Sequence, residues 1–374
     1  MTAKKTIGYR IFTNIFTLSF IAIALSIGGQ IIYAIIYVLF TVFYMVFTHK
    51  PGLFLPPVLD TARLYLTDIV PWIIAILIFL PGKRNVYRPV LRDCTHKEKG
   101  NTWWSIFLGI LIGGGMNLFC ALVAMWNEDI FIRFDSFNFL PALFIFACVF
   151  IQSSCEELIC RSFLMGTLLR RYRMPWMAIL FNSLLFGSLH LFNDGITVLS
   201  FVNIMLTGIL FSLIYYFFDS MWCIFLAHTA WNYMQNIVLG LPNSGIVVPY
   251  SIFKLDAASA RDSFAYNVGF GIEGTLVADG VLLLACIATV IIGKLVTHKK
   301  LFVRLPEDAF PGEALWNVKS APVIEPKVEA APELKETSEF NSSSETVELP
   351  MEEIARMLAS ATDETQNKDE NENE

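Results

Sequence analysis

Apolar residues in this chain do not alternate with polar ones, as they do in the amphipathic elements of a soluble fold. They run in long blocks. The first covers 11–47, 37 residues without a single charge, and others fall at 64–80, 103–126, 140–169, 176–192, 196–218, 221–239 and 276–292. An apolar run of about 18 residues or more can cross a bilayer as a helix. The pattern therefore predicts an all-α, polytopic membrane helix bundle of about eight transmembrane helices. The first block allows two forms: one long tilted helix, or a hairpin of short spans turning at Gly28-Gly29-Gln30.

Composition agrees with the pattern. Of the 374 residues 55% are hydrophobic and 16% charged, and the mean hydropathy is +0.57; soluble domains carry about 25% charged residues. The net charge of −6 hides a split. Positions 305–374 hold 18 acidic and 5 basic residues, net −13, and the other 304 positions hold 15 and 22, net +7. The acidic segment is rich in Glu and Pro and reads as a disordered tail. Within it only 351–361, with Ile354, Met357 and Leu358, has the pattern of a short amphipathic helix, a candidate docking element for a partner.

Charge also arbitrates the first block. The connector 81–102 holds Lys83, Arg84, Arg88, Arg92, Lys97 and Lys99, and short basic loops stay cytoplasmic. A single first helix puts that loop, both termini, Arg170, Arg171, Arg173, Lys299, Lys300 and Arg304 on the cytoplasmic side of the cell membrane. The acidic connector 127–135 and the long loop 242–273 then share the outer side. Trp103, Trp104, Trp126, Trp176 and Trp222 fall near span ends, as an aromatic belt requires. The seven cysteines form no metal-type or disulfide-type spacing, and six lie in apolar stretches as small packing residues.

Charges inside a span cost several kcal/mol and mark function by default. Three clusters qualify: 153–161, with Glu156, Glu157 and Arg161; 186–190, with Phe186 and His190; and 228–232, with His228 and Asn232. Asp68 and Asp279 lie closer to span ends, where an interfacial carboxylate is the reading. At 100° per residue Glu157 and Arg161 share a helix face, while Glu156 points about 140° away from Arg161. Glu157 is thus the partner of Arg161, and Glu156 is left without a local countercharge, which suits a general base. His228 and Asn232, four apart, aim donors at one point, as an oxyanion site needs. Depth supports convergence. At 1.5 Å per residue Glu156 lies roughly 21 Å from Arg170, His190 roughly 22 Å from Pro175, and His228 and Asn232 roughly 12–18 Å from Ser220. Gly113-Gly114-Gly115 suits close helix packing rather than phosphate binding, and the basic residues follow the positive-inside rule, so nucleic acid is not an expected partner.

Glu-Glu-x-x-x-Arg (Glu156, Glu157, Arg161), Phe-x-x-x-His (Phe186, His190) and His-x-x-x-Asn (His228, Asn232), in order and on separate helices, resemble the three motifs of the CPBP (Abi) family of intramembrane glutamic proteases, related to type II CAAX prenyl endopeptidases. The resemblance covers about 137–240. It implies an endopeptidase that hydrolyses a peptide bond of a membrane-associated or CAAX-like protein amid membrane lipid. Glu156 and His190 would activate a water, His228 and Asn232 would hold the oxyanion, and Glu157, Arg161 and Phe186 would support them. No cofactor is expected in this form; the alternative is a zinc enzyme with Glu156, His190 and His228 as ligands, although no His-Glu-x-x-His string occurs. A non-catalytic immunity or scaffold protein and a proton-coupled transporter are the rival classes. The chain then divides into 1–136 (N-terminal spans and basic loop), 137–240 (catalytic core), 241–298 (outer loop and last span) and 299–374 (acidic tail).

Overall fold

The opening apolar block resolves as one helix. Beyond the short α1 (Ile7–Phe12), Asn14 accepts the Thr17 amide at 2.9 Å and caps α2 (Ile15–Thr48), which runs 34 residues and stops at His49 in the left-handed conformation, φ 55°. No hairpin forms at Gly28-Gly29. A Cβ on Gly29 would lie 2.5 Å from Cβ of Pro71, so this glycine serves a close helix contact within an unbroken helix. The computed structural model describes residues 7–50, 52–80, 88–95, 100–306 and 309. Of the acidic tail, residues 307–308 and 310–374 with the candidate helix 351–361 lie outside the described residues, as do Lys83, Arg84, Lys97 and Lys99. Those described all fall in one unit, Met1–Ala321.

After α2 come α3 (Pro57–Tyr65), a 3₁₀ turn (Leu66–Asp68), α4 (Ile69–Phe79), the short α5 (Arg88–Asp93) and α6 (Trp103–Trp126). Next is one 34-residue helical rod made of α7 (Phe139–Glu157), a π-helical segment (Leu158–Met165) and α8 (Gly166–Tyr172). Then follow α9 (Pro175–Leu189), α10 (Val198–Phe218), α11 (Met221–Asn232) with a second π-helical segment (Tyr233–Val238), and α12 (Leu276–Thr297). Among the described residues six helices are long and apolar enough to cross a membrane: Ile15–Thr48, Pro57–Phe79, Trp103–Trp126, Phe139–Tyr172, Val198–Phe218 and Leu276–Thr297. The other two apolar blocks are helical but shorter, α9 having 15 residues.

The span containing Asp68 begins at Pro57 and not at position 64, because Pro57 occupies the first helical turn and Asp60 neutralises Arg63 at 2.8 Å. Asp68 therefore sits mid-span at the 3₁₀ turn, 4% exposed, and accepts from Gln30 Nε2 at 2.9 Å. This corrects the interfacial reading. Asp279, in contrast, lies in the first turn of α12 and accepts from Asn203 at 2.9 Å.

Two groups of connectors gather at different ends of the helices. The acidic connector and the long loop, assigned to one side by charge, pair as antiparallel strands β1 (Ile132–Phe134) and β2 (Phe253–Leu255), with Ile132 opposite Leu255. Asp129 there accepts from Arg261 at 3.3 Å and from Ser263. In the other group, Arg170 meets Asp93 at 2.8 Å, Lys299 meets Asp219 at 2.7 Å, and Trp222 Nε1 donates to the Cys94 carbonyl at 2.9 Å.

Close packing of α6 on α11 sets the height of the third motif. A Cβ on Gly113 would stand 1.8 Å from the Ala227 carbonyl oxygen, and one on Gly109 2.3 Å from that of Cys223. Only glycine permits this approach, which brings Ala227, and His228 beside it, against the centre of α6.

Candidate active site

Glu156 and Glu157 end α7, the first part of the 34-residue rod, and the π-helical segment starts at the next residue. The third motif repeats this arrangement: Asn232 is the last residue of α11 before the second π-helical segment. Single π turns inside α-helices are uncommon and concentrate at functional sites.

Glu157 and Arg161 are both fully buried and pair at 3.0 Å, as their spacing of four implied. The guanidinium lies 4.1 Å from the centroid of the Phe186 ring and 5.5 Å from that of Phe211, so two aromatic faces share in neutralising it. Glu157 has a second partner that the motif spacing did not disclose, since Nδ1 of His228 lies 2.8 Å from the same Oε1. That carboxylate thus joins the first and third motifs. Phe186 supports in three ways: beneath Arg161, edge-on to His228 at 6.3 Å and tilted against His190 at 4.9 Å.

The other glutamate faces open space. Glu156 keeps 20% of its side chain accessible, and its Oε2 stands 3.9 Å from Nε2 of His228. No described group hydrogen-bonds that oxygen. Its Oε1 accepts from Gln152 Nε2 at 2.5 Å. His190 caps the end of α9, with Nδ1 2.8 Å from the Phe186 carbonyl. A carbonyl only accepts, so Nδ1 carries the proton and the neutral ring keeps its lone pair on Nε2. His228 shares the Nδ1–H tautomer but holds a carboxylate with it in place of a carbonyl. Its Nδ1 must donate to Glu157, already engaged by Arg161, and a second proton on the ring would make Nε2 a cationic donor. Asn232 Nδ2 donates to Gln152 Oε1 at 3.1 Å, and its Oδ1 accepts from Asn243 at 3.1 Å.

All four residues singled out by depth, Glu156, His190, His228 and Asn232, line one cavity of about 230 Å³. The sequence reasoning missed other parts of its wall. Gln152 had a legible signal, lying one turn before Glu156 on the same face. Asp68 and Gln30 enter from α2 and the 3₁₀ turn, and Asn243 and Glu273 from the loop after α11. Glu273 is 7% exposed and is fixed by Trp231 Nε1 at 2.9 Å and by the amide and hydroxyl of Ser244, each at 2.7 Å. No periodicity in the sequence links those positions to the motifs.

A catalytic zinc needs three protein ligands around one point. Among the described residues no three His, Cys, Asp or Glu side chains are grouped in that way. Glu156, His190 and His228, the alternative ligand set, line the same cavity without forming such a group.

Positions 138–234 match the family model for type II CAAX prenyl endopeptidase Rce1-like proteins. That segment is 97 of the 374 residues and holds all three motifs in order. No curated protein matches the chain. Its several membrane-length helices mark a membrane protein, and residues 138–234 are similar to the Rce1-like family of type II CAAX prenyl endopeptidases.

Proposed function

We propose that the protein is an intramembrane endopeptidase that hydrolyses a peptide bond of a membrane-associated or CAAX-like protein with a water activated by Glu156 and His190. The observation that carries this reading is the different partner of each histidine around one cavity, a neutral carbonyl for His190 and a buried carboxylate for His228. His190, its Nδ1 proton spent on the Phe186 carbonyl, offers an Nε2 lone pair; His228, held by Glu157, offers Nε2–H when protonated. Hydrolysis needs both a group that takes a proton from water and donors for the tetrahedral oxyanion. Glu156, with an oxygen free of described donors, and His190 supply the first. His228 and Asn232 supply the second. Glu157, Arg161 and Phe186 hold His228 in place, as a buried acid orients the histidine in other hydrolases.

The reaction in this reading needs no metal: Glu157 is committed to Arg161 and His228, and a zinc held by Glu156 would occupy the carboxylate assigned as base. The segment 137–240 acts as the catalytic core, with part of the cavity wall supplied by 1–136 and 241–298. The protein resides in the cell membrane with the basic connectors and both termini in the cytoplasm.

Quantitative proteomics of membranes from cells carrying the wild-type protein or Glu156→Gln tests the activity. The expected result is one or more membrane proteins that accumulate uncut in the variant, at equal expression of the two forms. Identical cleavage patterns would count for a non-catalytic immunity or scaffold role.

A further inference from the structure

Gln152 and Asn243 lie outside the three motifs, yet they link the proposed base to the proposed oxyanion donor. Gln152 Nε2 reaches Oε1 of Glu156, and Gln152 Oε1 receives both Asn232 Nδ2 at 3.1 Å and the Ser153 hydroxyl at 3.1 Å. Asn243 Nδ2 donates to Asn232 Oδ1 at 3.1 Å. An ionised carboxylate only accepts, so the amide end of Gln152 that faces Glu156 is NH₂. Its other end is then oxygen, which requires NH₂ from Asn232, whose own oxygen requires NH₂ from Asn243. One carboxylate thus sets the direction of three successive amides.

Asn243 is itself firmly held. Gln235 donates to the carbonyl of Pro242 at 2.6 Å, Asn236 donates to those of Leu241 and Ile246 at 2.8 and 3.1 Å, and Asn243 and Ile246 exchange backbone bonds at 3.0 and 2.8 Å. Gln235 and Asn236 belong to the π-helical segment that follows Asn232. That segment therefore turns the chain back so that Asn243 meets the motif it has just left.

We propose that Gln152 and Asn243 are positioning residues of the site: they fix the Glu156 carboxylate and the amide orientation of Asn232, so that the second Nδ2 hydrogen of Asn232 is available to an oxyanion. The proposal rests on the roles given above to Glu156 and Asn232. It also extends the working site beyond the family-matched segment, since Asn243 lies past residue 234. Reversal of the Asn232 amide would present an acceptor to the oxyanion and remove one donor, and loss of one such donor costs about 100-fold or more in kcat.

Two measurements on the full chain in lipid vesicles test it. With a farnesylated, internally quenched peptide ending in a CAAX sequence as probe, Gln152→Met and Asn243→Asp are expected to lower kcat about 100-fold while KM stays within about twofold. Asn243→Asp keeps the shape but replaces the donor facing Asn232 Oδ1 by an acceptor, so a role in loop packing alone would not produce that split. Independently of activity, solid-state NMR on protein labelled with ¹⁵N in glutamine side chains and ¹³C in glutamate carboxyls reads the amide direction. A close nitrogen–carboxyl contact is expected in the wild type and absent in Gln152→Met. A wild-type chain lacking that contact, or unchanged kcat in both variants, overturns the proposal. A wild type that leaves the peptide intact counts against the protease reading, and the NMR contact then decides the amide direction by itself.

Discussion

Replacement of Glu157 by glutamine removes one charge from a fully enclosed ion pair. Glu157 and Arg161 are both 0% exposed, and Oε1 of Glu157 serves Arg161 at 3.0 Å and His228 at 2.8 Å. Loss of one partner of a buried ion pair costs about 3–5 kcal/mol, because the remaining charge stays desolvated. The rings of Phe186 and Phe211 flank the guanidinium and offset part of this, by about 1–2 kcal/mol for cation–π contacts in such a setting. A net loss of about 2–3 kcal/mol is expected for Glu157→Gln. Glu156→Gln has no buried cation to strand, and its cost should stay near 1 kcal/mol or below, the ordinary scale of a single substitution. Reversible unfolding in bicelles, titrated with denaturing detergent, measures both. The double variant Glu157→Gln/Arg161→Met supplies the decisive comparison: with the orphaned guanidinium gone, a buried ion pair replaced by apolar volume is often neutral or better, so the double variant should be more stable than Glu157→Gln alone. Equal stability of Glu157→Gln and Glu156→Gln, or a double variant less stable than both singles, would refute the division of labour between the two glutamates.

Gly113→Ala should disturb the α6–α11 contact, since its Cβ would meet the Ala227 carbonyl at 1.8 Å, and a lower unfolding midpoint with reduced cleavage is expected; Gly115→Ala, whose Cβ finds its nearest neighbour at 3.9 Å, is the matched control and should be silent in both assays. Activity of the purified protein should survive dialysis against a strong chelator, and elemental analysis should find well under one zinc per chain; loss with chelator and recovery with added zinc would decide for the metal enzyme. Single cysteines placed in 242–273 should react with impermeant reagents from outside cells, while those in 81–102 should react only with reagents that cross the membrane. Glu273→Gln should leave the Trp231 bond in place but remove the acceptor shared by the Ser244 amide and hydroxyl, with a stability loss of about 1–3 kcal/mol, the scale of a buried donor left unsatisfied.

Local rules carried the reading of this chain wherever a feature depended on one segment. Spans followed from predominantly apolar runs, because the bilayer demands about 20 mostly apolar residues per helix whatever surrounds it. The Glu157–Arg161 pair followed from a spacing of four on a single helix, and the glycine run at 113–115 from the absence of side chains. Even the common depth of Glu156, His190, His228 and Asn232 was arithmetic on helical rise. What joins separate segments was decided only by tertiary packing. Periodicity on α7 and α11 carries no information on how the two helices rotate against each other, so the Glu157–His228 bond could not be read from either. The first span in the chain shows the same limit: Gln30 and Asp68 are 38 positions apart, and their meeting depends on Gly29 seating against Pro71. Asn243 and Glu273 belong to a loop with no hydrophobic period, and they reach the site because the π-helical segment after Asn232 redirects the chain. Each of these contacts is a relation between surfaces, set by which side chains fill the space between helices, and a one-dimensional pattern holds no record of that space.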